Sequence, residues 1–315
     1  MVHDLARWSD AREFTAAQMP VVRSVIEAFF AQMDTGGLLG PMPGWQFVDW
    51  APGWENGNPP GAMERPHAIF NWHLAYVLQR LAEIESWLGE PEQAQRCRAR
   101  AERLAARLDE VFYNKASGLY ADDSEHTQFS EHTQVLAVLS GLLPEPRCVS
   151  LMAALKDHPD ATPTTIYFSH YKLEALAAVG DGEALLEAME LWRGLPELGF
   201  VTTPEQPEPT RSDCHGWGGH PLYHIVASVL GVQPGSFGFD TVRVRPCPGG
   251  LDWARAQVPS LRGVIEASFE RRPGGMQYRV ELPEGLTGTL VWGDKTIPLQ
   301  SGENVRMPRG PNRLG

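Results

Sequence analysis

The sequence has no surplus of positive charge, no paired cysteines and no long apolar run. Its 315 residues include 27 Lys and Arg against 39 Asp and Glu, a formal charge of −12. Nucleic acid and anionic membranes both select a basic face, so neither is an expected partner. Cys97, Cys148, Cys214 and Cys247 are too scattered for a CxxC site and lie beside no His run. Reduced thiols are therefore expected rather than a disulfide frame or a zinc site. No stretch reaches membrane length, and no basic-then-apolar leader follows Met1, which predicts a cytoplasmic protein if Met1 is the native start. The Walker loop, HExxH, GxSxG and EF-hand patterns are also missing. Gly216-Trp217-Gly218-Gly219 does not complete GxGxxG and follows no strand, so dinucleotide binding is unsupported. Neither a metal nor an organic cofactor is expected.

What is present falls into two textures. Up to about residue 235 the chain reads as helices joined into hairpins, at 15–34, 66–88, 92–113, 130–142, 145–156, 165–179, 182–193 and 217–230. In the stretch 92–113, Cys97, Ala101, Leu104, Ala105, Leu108, Val111 and Phe112 form one apolar stripe opposite Arg and Glu. Segments such as HTQVLAVLSGLL are apolar all round, as helices of an inner ring would be. After about Phe237, short alternating runs take over. VIEASFERR sets Ile265, Ala267 and Phe269 on one side, and MQYRVEL sets Met276, Tyr278, Val280 and Leu282 likewise, with RRPGG as the turn between them. Further strands are expected at TVRVR, GTLVW, KTIPL and ENVRM. The expected domains are 1–235, helical, and 236–315, an antiparallel β-sandwich.

Chemistry-bearing residues collect in the connections. The segment TTPEQPEPTRSDCHGWGG, residues 202–219, holds Glu205, Glu208, Arg211, Asp213, His215 and Trp217. WQFVDWAPGWENG adds Trp45, Asp49 and Trp50 to a chain with 10 tryptophans. Indoles fill cores, and they also stack on the C–H faces of sugar rings. Carboxylates together with aromatics on loops are what glycoside cleavage uses, two acids flanking the bond and indoles holding the ring. Composition alone does not choose among Glu205, Glu208 and Asp213, any of which also reads as a solvated loop acid. His215 reads as a base, a hydroxyl donor or a structural histidine, and Asp49 also reads as a turn cap. His126 and His132 flank a helix start and read as capping or packing groups.

WQFVDWAPGW, IFNWHLAYVLQRLAEI, SGLYADDSEHTQ, TPEQPEPTRSDCHGWGGHPLYH and LGVQPGSFGFDTVRVRP together resemble the C-terminal part of bacterial α-L-rhamnosidases of glycoside hydrolase family 78. FVDW and TRSDCHGW are the most specific of these, and the likeness spans nearly the whole chain. The resemblance implies an (α/α)6 six-hairpin toroid, lacking its first hairpins, followed by a β-sandwich. It implies inverting hydrolysis of terminal α-L-rhamnosides, with Glu205 as general base. It places Asp49, Trp50, Trp45, His215 and Trp217 at sugar-binding positions. The family's general acid lies in a DCPxRxER-like segment that this sequence does not contain. Glu55, Asp122 and Asp123 are the substitutes to consider, and a second chain supplying the rest of the barrel is an implied partner. A binding remnant without catalysis, or another activity of the six-hairpin clan, is the alternative.

Overall fold

The computed structural model describes residues 1–307, so residues 308–315 of the expected second domain lie outside the described residues. Its helices are α1 (Val2–Trp8), α2 (Arg12–Phe30), α3 (Ala68–Leu88), α4 (Pro91–Phe112), α5 (Glu131–Leu139), α6 (Glu145–Lys156), α7 (Ser169–Val179), α8 (Gly182–Ala188), α9 (Glu190–Gly194) and α10 (Pro221–His224). No helix among the described residues is long and apolar enough to cross a membrane. The fold divides into two compact units, each assembled from separated stretches of chain. One comprises Ala16–Ala175 with Phe200–Gly218, and the other Met1–Thr15, Leu176–Gly199 and the chain from Gly219 onward.

The first unit is helical, and its elements follow local chemistry. Helix α4 opens with Pro91 in its first turn, where a missing N–H costs nothing, and buries Cys97, Ala101, Leu104, Ala105, Leu108 and Phe112 against α3. Helix α5 begins where the Ser130 side chain accepts from the Thr133 amide, and His132 through Val138 are all buried, as an inner helix requires. Arg23 of α2 forks onto Glu85 of α3 at 2.8 and 2.6 Å, and Arg100 of α4 reaches Glu27 of α2 at 2.6 and 3.1 Å. The short hairpin of β1 (Tyr113–Asn114) and β2 (Leu119–Tyr120) brings Tyr120 edge-on to Trp72, 5.0 Å between ring centroids.

The second unit holds two four-stranded sheets. Strands β3 (Val232–Pro234), β4 (Thr241–Val244), β8 (Thr287–Trp292) and β9 (Lys295–Leu299) form one; β10 (Gly302–Arg306), β7 (Gly275–Leu282), β6 (Gly263–Arg272) and β5 (Trp253–Ser260) form the other, each in that order. All neighbours are antiparallel except β4 and β8, which run parallel from Thr241↔Thr287 to Val244↔Leu290. Ile265, Ala267 and Phe269 of β6 and Met276, Tyr278, Val280 and Leu282 of β7 face inward, as their alternation predicts. Tyr278 bridges the sheets, 5.5 Å from Phe269 and 5.6 Å from Trp292.

Three helical stretches differ most from expectation. Residues 2–8, outside the helices expected from the sequence, form α1; Asp4 in the first turn and Arg7 in the last suit the helix dipole, and no Gly or Pro interrupts them. Helix α7 starts at Ser169, not residue 165, because the Thr165 amide and hydroxyl are both bonded to Asp49 instead of entering a helix. The helix expected over 217–230 splits into a 3-10 turn at Gly216–Gly219, α10, and a π turn at Ile225–Val229. Gly216, Gly218, Gly219 and Pro221 cannot hold a regular α entrance. Because Trp72 is fully enclosed, Trp72→Ala is expected to lower stability by about 3–5 kcal/mol in urea unfolding. A loss under about 1 kcal/mol would show that the α3/β2 core is not packed as described.

Candidate active site

Glu205 sits in a loop that closes on itself. Its amide donates to the Ser212 carbonyl at 2.8 Å, and the His215 amide donates to the Thr203 carbonyl at 2.8 Å. The Thr203 hydroxyl returns a bond to the His215 carbonyl at 3.0 Å, and the Trp217 indole N–H donates to the Glu205 carbonyl at 2.9 Å. Gly218 is required for that closure, since a Cβ there would lie 2.8 Å from Cβ of Thr203. The Glu205 side chain is only 6 % exposed. Arg211, six residues on, bonds Oε1 through Nη2 and Oε2 through Nε, the latter at 3.3 Å. The same guanidinium lies 4.5 Å over the Trp50 ring. The Arg211 contact, reinforced by the nearby His215, holds the Glu205 carboxyl below the usual carboxylate range.

The second wall is the loop carrying Trp45–Asn58, and it hangs on Asp49. Asp49 Oδ1 accepts from the Thr165 hydroxyl at 2.6 Å and from the Trp50 amide at 3.0 Å. Oδ2 accepts from the Thr165 amide at 2.6 Å and from His132 Nε2 at 2.9 Å. Asp49 and His132 are both fully buried, and the His132 ring is flanked by Trp54 and Phe168, each 4.5 Å away between centroids. The loop also needs Gly57, where φ is +73° and a Cβ would fall 2.4 Å from the Phe47 ring. Phe47 in turn stacks on Trp217 at 6.0 Å and meets Trp50 at 5.1 Å. Tyr167 reaches Trp217 at 5.0 Å, and His215 lies 4.3 Å from it. Trp45 is 63 % exposed and anchored by its N–H to the Asn56 carbonyl at 2.9 Å.

Glu205, Trp50, Trp45, His215 and Trp217 are thus linked through direct or one-ring contacts on one surface. Asp49 is set behind it: no part of it reaches solvent and both oxygens are occupied by protein donors, so it fixes Trp50 rather than facing a sugar as expected. Glu208 and Asp213 are exposed on the loop. Among the substitute acids, Glu55 is exposed, while Asp122 is buried and accepts from the hydroxyls of Ser130 and Thr133. Burial pushes the Asp123 carboxyl up, but the Thr127 hydroxyl and amide and the Gln128 amide outweigh it and hold the pKa down. A general acid requires the opposite shift. Sequence reading missed Thr165, Tyr167 and the reach of Arg211 to Glu205. It also took His132 only as a capping or packing group. Arg211 was visible in TRSDCHGW, whereas nothing local ties Thr165 to Asp49.

Helical hairpins followed by a β domain are the layout of a six-hairpin glycosidase with its C-terminal domain. Residues 9–229 match the bacterial alpha-L-rhamnosidase 6 hairpin glycosidase domain, and residues 231–307 match the bacterial alpha-L-rhamnosidase C-terminal domain. The chain belongs to the bacterial α-L-rhamnosidase family. It is similar to a family 78 rhamnosidase of Bacillus sp. GL1, with a TM-score of 0.79 and 26% identity over 93% of this chain and 32% of that one. Its fold is also like that of the Streptomyces avermitilis α-L-rhamnosidase solved with L-rhamnose, with a TM-score of 0.70 and 19% identity over 95% of this chain and 31% of that one. An alpha-L-rhamnosidase of S. avermitilis is 31% identical over 122 residues, 38% of this chain and 11% of the relative. The chain therefore spans about a third of the length of these solved relatives.

Asp49→Ala is expected to strand His132 Nε2 and the Thr165 donors and to cost on the order of 3 kcal/mol, since buried unpaired donors are expensive. Urea unfolding checks it, with the Trp50 emission change as a second readout. An unaffected midpoint would mean that the loop does not depend on this carboxylate.

Proposed function

We propose that this chain carries the base and much of the sugar-binding surface of a glycoside hydrolase that cleaves terminal α-L-rhamnosides with inversion. The observation that carries this reading is the ionised Glu205 carboxylate beside Trp50, on a surface lined by Phe47, Trp217 and Trp45. Indole faces suit the C–H face of a deoxy sugar, and His215 supplies a donor for a ring hydroxyl. Glu205 takes a proton from water as that water attacks the anomeric carbon from the face opposite the leaving oxygen. The leaving oxygen needs a proton from another group. Glu55 is an exposed loop acid, Asp122 is enclosed and already bonded to two hydroxyls, and Asp123 is held in the wrong direction for a donor, so the acid is assigned to a segment outside these 315 residues, on the same polypeptide or on a second chain that supplies further hairpins.

Two substrates test the reading. An aryl α-L-rhamnoside with an activated leaving group needs little protonation, and the chain is expected to turn it over slowly while leaving an unactivated rhamnoside nearly untouched. Glu205→Gln should lower aryl rhamnoside turnover by roughly 10²–10⁴, with L-rhamnose binding kept. Glu208→Gln should change neither. Robust cleavage of an unactivated rhamnoside by these 315 residues would overturn the placement of the acid. Normal turnover by Glu205→Gln would overturn the base. Sugar binding with no turnover of either substrate would favour a binding module.

A further inference from the structure

The site contains one contact that base catalysis does not ask for. A general base works through a lone pair directed at the proton it takes, and Arg211 takes one lone pair on each oxygen of Glu205 and fixes the direction of the carboxylate. Its guanidinium lies over the Trp50 ring as well, 4.5 Å from the ring centroid, while bonded to the carboxylate. A pyranose that stacks on that side of Trp50 and presents its anomeric carbon to Glu205 requires the same space. Arg211 is well placed to leave it. Its side chain is 59 % exposed, and it belongs to a turn with its own internal bonds, Thr210 N to Glu208 at 3.1 Å and the Thr210 hydroxyl to the Ser212 carbonyl at 3.0 Å. The turn can release its arginine while Glu205 N stays bonded to Ser212.

We propose that Arg211 is a positioning residue that competes with the sugar for the face of Trp50: a pyranose seated there displaces the guanidinium and so frees Glu205 for the attacking water. The proposal rests on the rhamnoside reading above. Until the ring arrives, the guanidinium keeps the carboxylate ionised and fixed in direction. Occupation of the sugar site and exposure of the base then become one event. The other charged or titratable groups around the carboxylate are His215 on the same loop, Glu208 and Asp213 on its exposed parts, and the Asp49–His132 pair bonded to the Trp50 amide.

The linkage sign follows from the geometry. Glu205 is held below its usual range while Arg211 is bonded to it, and its pKa rises when Arg211 leaves. Sugar binding therefore takes up protons, and affinity increases as pH falls toward the carboxylate range. The test is L-rhamnose binding to the 315-residue chain, read by tryptophan fluorescence from about pH 7 down to about pH 3, across the carboxylate range, with ¹³C NMR titration of the Glu205 carboxyl. Arg211→Gln should bind rhamnose roughly two- to fivefold more tightly near neutrality, the weight of an exposed cation–π contact. It should also flatten the pH dependence and move the Glu205 titration up to the ordinary range. Arg211→Lys keeps the charge but loses the flat fork, and should fall between the two. Rhamnose binding by the wild type that weakens or stays level in Arg211→Gln, with thermal unfolding unchanged, overturns the competition and leaves the rhamnoside reading standing. No rhamnose binding by either protein overturns both. If Arg211→Gln fails to fold, the Arg211→Lys affinity and pH profile decide alone by the same criteria.

Discussion

The buried carboxylate of Asp49 is the constraint on which the site's geometry depends. A charge taken out of water must be met on all its lone pairs, and here the donors come from the Trp50 amide, Thr165 and His132. Three separate stretches of chain are thereby pinned to one another. Trp50 cannot shift without disturbing its own amide bond, and Phe47 is confined by Gly57 on the same loop. Helix α7 gives up its expected first turn to serve this network. The aromatic surface is held from behind by a buried carboxylate whose two oxygens each accept two bonds.

Rigid indoles and an adjustable arginine divide the work. The walls offer a sugar a preformed face at little entropic cost, while Glu205 is fixed through its backbone by Ser212 and Trp217. Its carboxylate direction is set by Arg211, an exposed side chain on a short turn. The proposed inverting chemistry needs a carboxylate that is ionised before the attack and unencumbered during it. A guanidinium that holds the group ionised and can be dislodged meets both needs.

Much of this was legible in the sequence, for local reasons. The α4 stripe and the β6–β7 hairpin are periodic over neighbouring residues, so their limits come within a residue or two of the structure. Strand β5 was not read, because its inward residues include Ala254 and Ala256, which carry a weak apolar signal in alternation. Glu205, His215 and Trp217 share one segment with Arg211, and their grouping follows from proximity along the chain. The Asp49–His132 contact spans 83 positions and Asp49–Thr165 spans 116, and no spacing rule connects them. Hence Asp49, flanked by aromatics in FVDW, reads as a sugar ligand until its partners are seen. The break between helical and β texture near residue 235 lies close to the division between the two family domains at 229 and 231. The compact units instead exchange segments across it, which composition does not reveal.

The central claim is that Trp50 and Glu205 together form the seat of a rhamnosyl ring. A crystal structure of the chain soaked with L-rhamnose tests it most directly. The account predicts the pyranose over Trp50 in the position of the Arg211 guanidinium, the anomeric carbon turned toward Glu205, and Asp49 still bonded to His132 and Thr165. Rhamnose bound away from Trp50, or seated there with Arg211 still clamped on Glu205, would contradict it.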